Sequence, residues 1–191
     1  SSHVPNVKVS GLKIKHLFAI GTLGLERDVM SRIKSEQKVY NDLLLIDDLE
    51  DSYKNLTLKL IKSSHKIEKT TPNFKFLLKS DDDSYVKLDL LTQDLIQYNS
   101  KLKKLKQQKQ TLENLEIYWG FFNGRAQIKR SGPWQETNFN LCDRYLPYAL
   151  GGGYIISKNL VTYISDHGED LNQFASEDVS VGSWLSPFRN I

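Results

Sequence analysis

Three consecutive carboxylates, Asp81, Asp82 and Asp83, directly follow the apolar run at 74–78. Charges of one sign at that spacing repel, and a cation is their natural partner. If the backbone stays extended, Asp81 and Asp83 point to the same side at the carboxyl end of a strand, where open α/β sheets bind ligands. Oxygen-only donors suit Mg²⁺ or Mn²⁺, and such ions are shared with a diphosphate and water rather than caged by protein alone. The alternative is an acidic cluster that favours the dipole of the helix beginning near Leu88. A second acidic pair, Glu177 and Asp178, precedes Val179 and Gly182. It reads either as helix capping or as a general base, since a carboxylate in a partly closed cleft can be tuned to accept a proton from a hydroxyl.

Other motifs are less specific. Asp47, Asp48, Glu50 and Asp51 follow the run at 43–46. A phosphoacceptor site would place carboxylates there, and so would a solvated turn in which Asp51 or Ser52 caps the next helix. Gly21-Thr22-Leu23-Gly24 lacks both the full glycine fingerprint of a dinucleotide site and the lysine of a P-loop. Gly151, Gly152 and Gly153 let a backbone approach a ligand closely, or make a sharp turn. Five lysines within residues 101–109 form a solvated basic face or attract a polyanion. Asn55-Leu56-Thr57 is a glycosylation sequon inside an expected helix, which argues for an unmodified asparagine. His16, His65 and His167 lack metal-ligand spacing, and no serine or cysteine nucleophile constellation stands out.

These side chains need elements to hold them. An apolar run at 16–20 closes on Gly21 and is followed by helical periodicity through Tyr40. Residues 43–46 read as a strand covered on both faces, and a helix from about Ser52 to Ile67 comes next, with Tyr53, Leu56, Leu60 and Ile67 on one face. Residues 74–78 are a third strand, before a helix from about Leu88 to Tyr98. Three strand-helix units predict a Rossmann-like, mostly parallel α/β sheet flanked by helices. The second half reads as a strand at 117–122, a loop rich in glycine, proline and aromatics, an apolar run at 151–156, a helix capped by Ser157 and a last helix from near Glu177. Within one domain, a nucleotide-binding half, about 12–100, is expected beside a half that completes the pocket, about 101–191.

The 191 residues, 39% hydrophobic and 26% charged, exclude a disulfide-dense miniprotein, a collagen-like repeat and wholesale disorder. A net charge of +3 is too mild to make nucleic acid the expected partner. No apolar run reaches the roughly 18 residues needed to cross a bilayer. Ser1-Ser2-His3 is neither an initiator nor a signal peptide, so the chain reads as an excised piece, and its one cysteine, Cys142, leaves the redox compartment open.

Around the acidic motifs the chain resembles the beta-1,3-glycosyltransferases of family GT31, which have a GT-A fold. The resemblance runs through Phe18-Ala19-Ile20-Gly21-Thr22 and the segments 51–59, 76–85 and 176–182, and it spans nearly the whole chain. Segments 118–125, 141–150 and 151–154 look most like members acting on a galactosyl-xylose stub. The resemblance implies inverting transfer of galactose from UDP-galactose, in β1,3 linkage, to galactosyl-β1,4-xylose on proteoglycan core protein, which builds the glycosaminoglycan linker. It further implies a type II membrane protein of the Golgi lumen whose anchor lies outside this chain. By the same resemblance Asp83, with Asp81 nearby, holds Mn²⁺. Gly21, Thr22, Asp51, Asn55, Lys59, Asp81 and Asp82 hold the donor. Asp178 is the base, and Trp119, Gly152, Gly153, Tyr154 and Glu177 serve the acceptor. The family's arginine-tryptophan segment and its metal-binding histidine are absent from the matching places, as expected of a catalytic-domain fragment truncated at both ends. A partner for Cys142 is likewise expected outside the chain. The rival expectations are a UDP-N-acetylglucosamine donor, or a noncatalytic glycan-binding module of the same fold.

Overall fold

The computed structural model describes residues 6–9, 12–107 and 115–188. The first described strands form an antiparallel hairpin, β1 (Asn6–Val9) and β2 (Leu12–Lys15), whose alternation of polar and apolar residues the sequence reading passed over. β3 (Phe18–Gly21) pairs in parallel with β4 (Leu43–Ile46), and α1 (Arg27–Tyr40) crosses between them. α1 stops where Asn41 takes a left-handed φ of 52°, a conformation asparagine tolerates. The Gln37 side chain then accepts the Leu43 N–H at 2.8 Å, tying the helix end to the start of β4.

A short 3-10 turn, Tyr53–Asn55, leads into α2 (Leu56–Thr70). Ser52 stands before it without a side-chain capping bond, contrary to the sequence expectation. The buried face of α2 carries Thr57, Leu60, Ile61 and Ser64, while Tyr53 stays exposed. The tighter winding of the 3-10 turn carries Tyr53 off the helical stripe on which 3.6-residue periodicity had placed it.

β5 (Phe76–Ser80) is followed by α3 (Leu88–Gln107), whose Lys101 and Lys104 are exposed; Lys109 lies outside the described residues. The second sheet forms when β6 (Tyr118–Asn123) and β7 (Tyr148–Ser157) join β5 in the order β5-β7-β6, with both pairings antiparallel to β7. Repetition of strand and helix thus yields parallel pairing only between β3 and β4 among the described strands. β5 finds its partner in a strand that begins long after it, a choice that local periodicity does not record. The helix-flanked α/β architecture holds, and its sheets are of mixed sense. The glycine run lies inside β7 and makes no sharp turn.

α4 (Lys158–His167) and α5 (Glu177–Leu185) complete the main core. Leu60 and Ile61 of α2 pack with Tyr154 and Ile156 of β7, Leu160 and Ile164 of α4, and Trp184 of α5, so both halves of the chain share one interior. Ser157 precedes α4 but does not cap it through its side chain; its Oγ accepts the Ile117 N–H and donates to Glu116 instead. A second cluster, including Phe139, Tyr145, Tyr148, Phe174 and Val179, fixes the loop between β6 and β7 against the start of α5. Glu136, 2% exposed, braces the same junction by accepting the Asn138 and Ala175 N–H groups, each at 2.7 Å. At Gly182 a Cβ would stand 2.4 Å from Tyr148 Cβ, so glycine is what lets α5 lie this close to β7. No described helix is long and apolar enough to cross a membrane.

Candidate active site

Lys79 is the one charged residue of β5, and the strand period of two directs it to the side on which Asp81 follows. Its Nζ lies 2.5 Å from Asp81 Oδ1 and 3.0 Å from Glu177 Oε2, and donates to the Gly151 carbonyl at 2.9 Å. Glu177 is 7% exposed, and its other oxygen accepts the hydroxyl of Tyr154, itself 1% exposed. The neighbouring Asp178 accepts the Gly151 N–H on Oδ2 at 3.0 Å and the Val179 N–H on Oδ1 at 2.8 Å. A Cβ built on Gly151 would stand 3.5 Å from Asp178 Oδ2, 3.6 Å from Asp81 Oδ2 and 3.7 Å from Lys79 Nζ. Two carboxylates and an ammonium therefore surround a single point, which a side chain at 151 would fill.

Burial pushes the Asp178 carboxyl above its ordinary value, against the Val179 and Gly151 N–H groups and the Lys79 charge, which pull it down. Glu177 is raised for the same first reason, with Lys79 opposing most strongly. Burial works to lower Lys79, yet Glu177 and Asp81 outweigh it and the net direction is up. A half-buried carboxylate with raised proton affinity, held at a helix start beside an open backbone, is equipped to take a proton from an approaching hydroxyl.

The residues expected to hold the donor form a second group at the ends of β3 and β4. Asp51 accepts the Gly21 N–H on Oδ2 at 3.1 Å, and Lys59 Nζ stands 2.8 Å from both Asp51 oxygens. Asp51 is therefore a bridge between β3 and α2, and not the helix cap that its position suggested. Thr22 is buried, and its hydroxyl donates to Asp47 Oδ1 at 3.2 Å; Asn55 Nδ2 donates to the Glu50 carbonyl at 3.0 Å. Lys62 pairs with Asp48 at 2.5 Å and Lys66 with Asp47 at 3.7 Å, so one face of α2 compensates the acidic turn.

The residues expected to serve the acceptor are divided. Gly152 accepts the Ser80 hydroxyl on its carbonyl at 3.1 Å, and Gly153 stands opposite Ser80 in the β5–β7 register. Tyr154 stands in register with Lys79 and Gly120, whereas Trp119 shares the row of Ile155 and Leu78. Trp119, 42% exposed, is thus on the opposite sheet face from Tyr154 and Lys79. Tyr154 and Glu177 lie beneath the surface bonded to each other, which makes them the floor of the site; groups this buried do not touch an acceptor. Sequence reasoning passed over Lys79, whose signal was a lone cation in an apolar strand two residues before an acidic run, and over Glu136, for which no local signal exists.

Asp81, Asp82 and Asp83 are all exposed. The Ser84 N–H bonds the Asp81 carbonyl at 3.2 Å, so the backbone turns here and strand alternation does not align Asp81 with Asp83. Among the described residues no group of three or more His, Cys, Asp or Glu is arranged to hold a metal ion. The donor set is Asp81, already paired with Lys79, and Asp83, which accepts the Ser84 hydroxyl at 3.5 Å. One or two carboxylates completed by phosphate oxygens and water is the shell that Mg²⁺ and Mn²⁺ take beside nucleotides, so these residues fit a shared cation and not a caged one.

The chain is similar in sequence to known proteins. Beta-1,3-galactosyltransferase 6 of Mus musculus is 41% identical over 170 residues, covering 89% of this chain and 49% of that protein. UDP-GalNAc:beta-1,3-N-acetylgalactosaminyltransferase 2 of Homo sapiens is 31% identical over 81% of this chain and 28% of its own length. Probable beta-1,3-galactosyltransferase 5 of Arabidopsis thaliana is 31% identical over 93% of this chain and 42% of its own. The chain thus spans half or less of the length of these relatives. Residues 3–189 match the sequence model of the galactosyltransferases, and the chain belongs to the galactosyltransferase family.

Proposed function

We propose that the protein transfers galactose from UDP-galactose, in β1,3 linkage and with inversion, to galactosyl-β1,4-xylose on proteoglycan core protein. The observation that carries the reading is Asp178: a half-buried carboxylate, raised by burial, fixed by two N–H bonds and placed beside Gly151 and Asp81. Asp178 takes the proton of the acceptor 3-hydroxyl while that oxygen attacks the anomeric carbon from the face opposite UDP. The bond from that carbon to the diphosphate breaks, UDP leaves, and α becomes β in one displacement. Asp83 and Asp81 would hold Mn²⁺, which when bound neutralises charge developing on the diphosphate. Lys59, Asp51 and the turn at Gly21 and Thr22 would seat the nucleotide, and Asp82 would join them. Glu177 and Tyr154 support the site from below. A Golgi-lumenal setting, with a membrane anchor outside the residues present, accords with that acceptor.

The experiment is a transfer assay on the full-length protein with UDP-galactose, UDP-N-acetylgalactosamine and UDP-N-acetylglucosamine, each offered galactosyl-β1,4-xyloside or free N-acetylglucosamine. The expected result is selective use of UDP-galactose and the xyloside. Equal transfer to both acceptors overturns the acceptor assignment, and preference for an N-acetylated donor overturns the donor. Metal-dependent UDP binding with no turnover would instead support a noncatalytic module.

A further inference from the structure

Gly151 lies beyond the last registered pair of β5 and β7, Ser80 with Gly153, and on the other side the β6 register jumps from Tyr154 to Ala149. Gly151 has no partner in either strand register, and two side chains bond its N–H and C=O. Asp178 accepts the N–H at 3.0 Å and Lys79 donates to the C=O at 2.9 Å. An ammonium has three protons to donate, and Lys79 spends them on Asp81, Glu177 and Gly151, three acceptors in different elements. The Glu177 carboxylate is in turn held by the buried Tyr154 hydroxyl. A half-buried cation, its side chain 22% exposed, that bonds three acceptors is held in place, and it anchors the backbone carbonyl it grips.

We propose that Lys79 is a positioning residue for Asp178, acting through the Gly151 backbone and anchored from below by Glu177 and Tyr154. This rests on Asp178 as the base. Lys79 holds the C=O of the 151–152 peptide and Asp178 accepts the N–H of the 150–151 peptide, two planes that meet at the Gly151 Cα. With its carbonyl anchored, a glycine that has no side chain to restrict it loses backbone freedom, which steadies the N–H that holds the carboxylate toward the acceptor hydroxyl. Misplacement of a reacting group by about 1 Å costs on the order of 100-fold in rate, so a loosened relay should lower kcat while leaving donor affinity in place.

The test compares Lys79→Met, Lys79→Arg and Tyr154→Phe with the unaltered protein, using steady-state kinetics and amide hydrogen exchange. Lys79→Met should lower kcat by about 10- to 100-fold with donor KM changed by less than about threefold, and Lys79→Arg should recover part of the loss. Exchange at the Gly151 amide should quicken by about tenfold or more in Lys79→Met while the core amide of Ile156 is unchanged, the mark of a local opening. Tyr154→Phe, which removes a single hydroxyl, should move both readouts the same way by less, and it decides the matter if Lys79→Met fails to melt cooperatively. Unchanged Gly151 exchange, or an unchanged kcat, in the folded variants overturns the proposal. If the unaltered protein transfers sugar from no UDP-sugar, the reading of Asp178 as base falls, and Gly151 exchange still decides whether Lys79 positions it.

Discussion

Replacing Asp178 with asparagine separates chemistry from folding, because the partners of both carboxylate oxygens are known. Oδ1 accepts the Val179 N–H at 2.8 Å and Oδ2 the Gly151 N–H at 3.0 Å. An amide offers one acceptor, so one of these N–H groups meets a donor, at a cost of about 1–3 kcal/mol. The amide also lacks the charge that burial disfavours, and a raised carboxyl pKa means that ionised Asp178 weakens the fold at neutral pH. These effects oppose, leaving a net loss of about 0–2 kcal/mol and, at roughly 2–4 °C per kcal/mol for a chain of this size, a Tm lower by no more than about 8 °C. Loss of a positioned base lowers turnover by about 10²- to 10⁴-fold. The assay is UDP release at saturating donor and acceptor, with calorimetric UDP binding and melting on the same samples. UDP binding should barely move and Tm should fall by no more than about 8 °C while kcat collapses. The reasoning is refuted if Asp178→Asn keeps more than about a tenth of the original kcat while Glu177→Gln is inactive. A pH series adds a second check. Since the folded pKa of Asp178 exceeds the unfolded one, its proton-linked stability is fully present below the unfolded pKa and is lost as pH rises through the folded value. The base works only once deprotonated, so activity should rise across the same window, and the Tm of Asp178→Asn should vary less there.

Asp83→Asn should abolish the strengthening of UDP binding by Mn²⁺, with Asp81→Asn milder because Lys79 already neutralises Asp81 at 2.5 Å; titration calorimetry giving equal UDP affinity with Mn²⁺ and with chelator in the unaltered protein would count against the cation site. Gly182→Ala should destabilise by about 1–3 kcal/mol, since the new methyl would lie 2.4 Å from Tyr148 Cβ and 2.8 Å from the Pro147 carbonyl. An unshifted melting temperature in that variant would show that α5 does not depend on this close approach to β7.

Local sequence was enough wherever a pattern is local. Residues 43–46 have no polar side chain to interrupt them, and they form a strand with both faces covered. The start of α5 at Glu177 and the acidic turn after β5 stand where their spacing placed them, because helix starts and strand ends are marked by neighbouring residues. The α/β class was legible from the same local patterns.

What tertiary structure decided has one cause, distance along the chain. Whether β5 pairs in parallel or antiparallel depends on a strand that begins at Tyr148, and no periodicity within 76–80 records it. Lys79 finds the Gly151 carbonyl 72 residues away and the Glu177 carboxylate farther still, so its role cannot be read from β5 alone. Glu177 and Asp178 are equivalent as letters, adjacent and both acidic. The fold turns one under Tyr154 and leaves the other at the Gly151 backbone, because successive residues at a helix start point in different directions and only one direction faces the core.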